Sequence, residues 1–259
     1  MSTRIARRIL LVTAVLLFAP CAARATDIHV VSSGGFAAAL KALAPRYEQA
    51  TGNKLILGWG PSMGETHDAV PTRLARGEDI DVVIMVGDAL GKLADQGKIA
   101  PGTRVDLVRS LIGAVVRAGA PHPDISTPEA LRRTLLDAKS IAYSDSASGV
   151  YVSTELFKRL GIADQVAGKA RMIPATPVAE IVAKGEAEIG FQQIAELKPV
   201  HGVDLLGPIP AELQKATIFS AGVVAGSHQA DAGTAFIAYL ASPDSAPAIA
   251  ETGLEPIAH

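Results

Sequence analysis

From residue 27 onward, short apolar runs and helical patterns take turns along the chain. "IHVV" precedes a helical pattern over Phe36–Ala50, "KLILGW" precedes one ending near Arg76, and "DVVIMV" precedes Ala89–Gln96. Apolar runs of four to six residues bounded by turn signals read as strands, and apolar positions recurring every three to four residues read as helices. The alternation resumes with "LIGAVV", "SIAYS", "ARMI", "EIGF" and "VDLLG". Such strand–helix grammar predicts an α/β fold whose sheets are mainly parallel, with helices on both faces.

Two units in series are the economical reading, with a single doubly wound domain as the alternative. The tail, "TIFSAGVVAG" followed by helical patterns at Ala230–Ala241 and Ser245–Glu251, is expected to return to the first unit. The predicted lobes are therefore 26–108 with 219–259, and 109–218.

The first residues follow a different pattern. Arg4, Arg7 and Arg8 precede an apolar block from Ile9 to Pro20, and Ala23-Arg24-Ala25 forms a small-x-small cleavage site. This reads as a secretory signal peptide over 1–25, too short to span a bilayer, so the mature protein is expected in the periplasm without membrane insertion. Cys21, the only cysteine, lies inside that leader, and Phe18 and Pro20 do not make the small-residue box of a lipoprotein. The mature chain then has no thiol, disulfide or cysteine metal site. Removing the leader leaves 20 basic against 26 acidic residues, a balance of −6 that argues against a nucleic-acid or anionic-membrane partner. An anionic small molecule stays compatible with it, because local backbone dipoles bind anions whatever the net charge.

Ligands of open α/β sheets sit beyond the carboxyl ends of the strands. Several such ends here are rich in small hydroxyls: Ser32, Ser33, Gly34 and Gly35 in "VVSSGGF", Gly60, Ser62, Met63 and Gly64 in "LGWGPSMG", and Ser144, Asp145, Ser146, Ser148 and Gly149 before Tyr151. Hydroxyls and bare amides satisfy oxyanion oxygens, and glycines admit close approach. Plain helix capping explains any one of these turns; three drawn from both units point to a negatively charged ligand.

Pro71 favours a first-turn position and disfavours a helical Val70, which predicts a loop over Pro61–Val70 and places Arg73 in the first turn of the following helix. Glu65, His67 and Asp68 fall on that loop, either as plain surface or, for His67, as a proton carrier. Gln192 and Gln193 follow "EIGF" at another strand end and could donate amide hydrogens. The remaining histidines of the mature chain lack metal-ligand spacing, and no lysine-bearing phosphate loop is present.

A leader, two α/β lobes and oxyanion-friendly turns together resemble the type II periplasmic binding proteins, and the order of segments resembles the molybdate-binding proteins of ABC transporters. The resemblance implies a ligand cleft between lobes joined by two crossings, near Leu107–Leu111 and Thr217–Val223. It departs where those proteins place an oxyanion-binding serine and this chain has Gly35, where they place a contacting tyrosine and this chain has Gln193, and at the longer Pro61–Val70 loop. These departures suit a ligand larger than a tetrahedral oxyanion.

Within the superfamily, "SSGG", "PSMG", "RLAR", "VGDALGKL", "AYSDSASGVY", "KARMIPA" and "GFQQ" resemble the aconitate isomerases, exported enzymes on this scaffold. That resemblance implies a cofactor-free allylic shift between trans- and cis-aconitate: a proton leaves the methylene carbon, the double bond moves, and a proton returns to the former vinyl carbon. It nominates Ser33, Gly34, Gly35, Ser62, Met63, Ser146, Ser148 and Gly149 around the tricarboxylate, with Arg73 or Arg171 as charge partner and Tyr151, Gln192 and Gln193 as further contacts. His67, Asp145 and Tyr143 are the unranked proton carriers, and Asp145 serves equally as a helix cap. The rival expectation is a non-catalytic receptor that hands an organic acid or molybdate-like oxyanion to an ABC permease.

Overall fold

The computed structural model describes residues 25–258, so that all but Ala25 of the expected leader lies outside the described residues. Eleven strands form two sheets among these residues: β1 (Asp27–Ser32), β2 (Lys54–Trp59), β3 (Val82–Val86), β4 (Val105–Ser110), β5 (Ile112–Arg117), β6 (Ile141–Ser144), β7 (Ala170–Ile173), β8 (Ile189–Gln193), β9 (Val203–Pro208), β10 (Thr217–Val223) and β11 (Leu254–Pro256). The first sheet has the order β11-β4-β10-β3-β1-β2 and the second β7-β6-β8-β5-β9. Only Leu111 separates β4 from β5, so the chain passes from one sheet to the other in a single residue, and it returns through 209–216.

The sheets are mixed rather than mainly parallel. β1 runs parallel to β2 and β3, and β6 to β7 and β8. Every antiparallel pair involves β4, β5 or β10, which flank the two crossings. Local patterning sees strand–helix units, whereas strand direction at a crossing is set by which sheet the chain must enter. Neither β11 nor the helix Pro128–Asp137 is foreseen by the apolar runs.

Helix α1 (Gly34–Thr51) shows how the first lobe is built. Phe36, Ala39, Leu40, Leu43, Ala44 and Tyr47 recur at three- and one-residue steps and are all buried on one face. Ser33 precedes the helix in extended conformation, and Gly52 ends it at φ 76°, a left-handed turn that glycine adopts without strain. That face packs on Ile28, Val30, Val82 and Ile84, while Val31, Val83 and Met85 point to the opposite side under Leu90 and Leu93. The second sheet is covered likewise, by Leu131, Leu156 and Phe157 on one side and Val178 and Val182 on the other. Full burial of such side chains stabilises by about 1.5–3 kcal/mol each, so the apolar faces hold the strand ends, and the turns that follow them, in place.

Candidate functional site

The turn after β1 carries the first candidate group. The Ser33 amide donates to Ile84 O at 2.9 Å, tying the turn to β3. Its hydroxyl is buried and lacks any hydrogen-bond partner, although Ser33 stands at the N-cap of an eighteen-residue helix. A buried hydroxyl left unpaired costs about 1–3 kcal/mol, and the dipole and free amides of α1 add positive potential beside it. The Ser62 hydroxyl accepts from the Val86 amide at 3.0 Å, two residues along β3 from the carbonyl that receives Ser33, which places the "PSMG" turn next to the "SSGG" turn. Gly35 has a packing reason: a Cβ there would run into the Phe219 ring, so the side chain missing at this position makes room for β10. Met63 is exposed beside Ser62.

In the second lobe three hydroxyls meet after β6. Ser144 and Ser146 lie 2.7 Å apart, Ser144 and Ser148 3.1 Å, and Ser146 and Ser148 3.2 Å. Gly149 lets the turn fold this tightly, because a Cβ would collide with the Ser144 carbonyl. Asp145 is exposed and accepts from the Ala175 amide at 3.0 Å. Ala175 holds φ 53°, in the left-handed region, which for a residue with a Cβ stores strain at this strand end.

Gln192 stands one step beyond the Tyr143↔Phe191 pairing, level with the serine cluster. Its carbonyl oxygen accepts from the Val178 amide at 2.9 Å, which fixes the side chain and turns its NH2 toward Glu196.

The two lobes meet at the short helix Ile194–Leu197. Ala195 is buried in the core of the first lobe, and the Lys198 ammonium donates to Glu251 O at 2.6 Å. Oε1 of Glu196 lies 2.5 Å from where a Cβ on Gly34 would stand. Glu196 therefore links the serine-rich end of the second lobe to the N-terminus of α1. Burial of the carboxyl raises its pKa to about 7; the Gln192 hydrogen bond opposes that rise and the Asp145 charge reinforces it. This residue escaped the sequence reading. The available signal was a lone acidic position among Ile194, Ala195 and Leu197, directly after the glutamine pair.

Other nominated residues are spent elsewhere. Arg73 donates from Nε to Glu78 Oε1 at 3.0 Å, from Nη2 to the same oxygen, and from Nη1 to Trp59 O at 3.2 Å, so its charge is already neutralised. Arg171 pairs with Glu186, which precedes β8 and so marks the end of the sheet away from the serine turns. The Tyr151 hydroxyl donates to Leu213 O at 2.5 Å within the second core. Tyr143 packs edge-on to Phe157, with ring centroids 6.2 Å apart. His67 is exposed and pairs with its neighbour Asp68 at 3.0 Å. Gln192 and Gln193 are the last residues of β8, and Gln193 faces the crossings. The helix expected at Pro71 begins one residue earlier, at Val70.

Among the described residues no group of three or more His, Cys, Asp or Glu is arranged to hold a metal. Two open cavities of about 450 and 460 Å³ lie apart from the serine turns, one lined by His122–Ser126, Leu205, Leu206 and Pro208–Ala211, the other by Asp27, His29, Asp79 and Asp81 among others. Neither contains an unpaired buried hydroxyl.

Residues 28–255 match the family of bacterial extracellular solute-binding proteins. The chain belongs to that family. It is 51% identical over 232 residues to an aconitate isomerase from a Pseudomonas species, covering 90% of this chain and 88% of the relative. It is 25% identical over 182 residues to the molybdate-binding protein ModA of Azotobacter vinelandii, 68% of each chain. The solved periplasmic molybdate-binding protein of that organism superposes with a TM-score of 0.69 at 20% identity, over 88% of this chain and 98% of the other. The last likeness establishes the two-lobed binding-protein fold, and the first narrows the kinship to an isomerase.

Proposed function

We propose that this chain interconverts trans- and cis-aconitate by a cofactor-free allylic proton shift, in the cleft between its two lobes. The observation that carries the reading is the 51% identity, sustained over 90% of the chain, to an aconitate isomerase. The geometry supports it. The substrate's carboxylates call for donors on two sides, and the site offers Ser33 with the α1 amides of Gly34 and Gly35 on one lobe, and Ser146, Ser148 and the Gly149 turn on the other. Ser62 and Met63 border the first set, and Gln192 the second.

Charge released when the methylene proton leaves spreads through the allyl system into the terminal carboxylates. Donors fixed in advance, in a site shielded from water, stabilise that charge without reorganising. The lobes correspond to 26–108 with 219–259, and 109–218, and the leader directs export to the periplasm in the same reading.

The rival, a receptor that delivers an organic acid or oxyanion to a permease, draws on the solute-binding family match. Incubating the purified mature protein with trans-aconitate and following the products by chromatography separates the two. Accumulation of cis-aconitate toward equilibrium is expected; saturable binding without conversion would leave the receptor.

A further inference from the structure

We infer that the Glu196 carboxyl is the catalytic group that takes the proton from the methylene carbon of aconitate and returns it to the former vinyl carbon. The inference rests on the isomerase reading above. Its geometric basis is the position of Glu196, in the lobe contact, with Oε1 against Gly34 beside the unpartnered Ser33 hydroxyl and with the Gln192 amide on its other side.

A carboxylate in this place is a liability for a protein that only binds anions. It would repel a tricarboxylate and offer no donor while ionised. The same group is an asset in a proton transfer, where it must be unprotonated to begin and protonated halfway through. Gln192, anchored through Val178, lies close enough to the carboxyl to favour its ionised form and so helps to orient it.

The step balances without a further reactant. An oxygen of Glu196 accepts the methylene proton; the C–H electron pair becomes the new π bond to the central carbon. The old π pair moves to the vinyl carbon and into its carboxylate. The protonated Glu196 then delivers its proton to that carbon. The two carbons stand in a 1,3 relation, so one carboxyl with two equivalent oxygens serves both from one face.

The charged groups around it permit this. Asp145 faces it from the turn after β6 and favours protonation. The first turn of α1 carries no acidic residue, Lys198 on its own helix is turned to Glu251 O, and Arg109 pairs with Glu255 on the neighbouring β11. Among the described residues no cation pairs with it to lock it in the ionised form. With its pKa near 7, both protonation states are populated at neutrality.

Glu196→Gln keeps the shape and removes the titratable oxygen. Its kcat for trans-aconitate is expected to fall about 100-fold or more, the usual scale for losing a general acid–base group, while calorimetric affinity stays equal or improves and the melting temperature holds. Glu196→Asp, with the carboxyl withdrawn by one methylene, should recover part of the rate. The wild-type kcat/KM should rise with pH through about 7, since the base acts unprotonated, and the limb should vanish in Glu196→Gln. A Glu196→Gln enzyme that retains a wild-type rate, or that loses binding in step with rate, overturns the assignment. If the wild-type protein binds aconitate without converting it, the isomerase reading itself has failed, and this proposal with it.

Discussion

The hydroxyl of Thr217 donates to the side-chain amide of Gln193 at 2.9 Å, joining the end of β8 to the start of β10. The same amide donates through its NH2 to Ser110 Oγ at 2.8 Å and to the Ser110 and Leu111 carbonyls. One buried side chain thus clamps both crossings between the lobes. Gln193→Leu would fill similar space and strand these groups, at a cost of about 1–3 kcal/mol. Urea unfolding should show a lower midpoint with an unchanged slope.

Ser33 offers the opposite case. Its hydroxyl has no partner to lose and is buried unpaired, so Ser33→Ala should leave stability unchanged or raise it, by up to about 1–3 kcal/mol. A hydrogen bond to a charged ligand is worth about 1.5–3 kcal/mol, and the same variant should weaken aconitate binding by the corresponding one to two orders of magnitude. Melting curves beside calorimetric titrations check the split; a large stability loss would show that the hydroxyl has structural work.

Gly149→Ala would drive a methyl group into the Ser144 carbonyl. Backbone cannot yield as a flexible side chain does, so a penalty of about 1–3 kcal/mol is expected, together with lost affinity as the three serines separate. Thermal unfolding and substrate titration report the two effects.

The Glu78 carboxyl is held at a pKa of about 2, chiefly by the hydrogen bonds from Arg73 and by those from Arg76. A carboxylate lowered by folding contributes stability above its ordinary value near 4.5, and that contribution disappears as pH falls through about 2. Because the pair is partly exposed, the contribution should be about 1 kcal/mol or less. Denaturation midpoints of the wild type and Glu78→Gln should differ at pH 6 and converge toward pH 2.

His67 and Arg171 lie on the surface, already paired with Asp68 and Glu186, and Arg171 sits at the sheet end away from the serine turns. Substituting either with alanine should change kcat/KM by no more than about twofold, as expected of surface positions outside a site. A larger drop in steady-state assays would bring that residue back into the chemistry.

Strand and helix positions were readable because a buried face imposes its period locally. "KLILGW" and "ARMI" coincide with β2 and β7, and the apolar face of α1 shows its three- and one-residue steps without any coordinates. The small-hydroxyl turns were readable as well, since glycine and serine at a strand end are demanded by the backbone itself. Nothing in those periods reports charge pairing. Arg73 looks free in sequence, and only folding brings Glu78 against it.

By itself, then, the order of apolar runs determined an α/β chain with oxyanion-friendly turns in both halves, because those features depend on neighbours a few residues away. The tertiary structure decided the rest. It chose strand directions at the crossings, committed Gln193 to Ser110 and Thr217, buried the Tyr151 hydroxyl against Leu213, and brought Glu196 to Gly34 across more than 160 residues of chain. Desolvation and pairing are properties of what surrounds a group in space, and sequence distance carries no record of that.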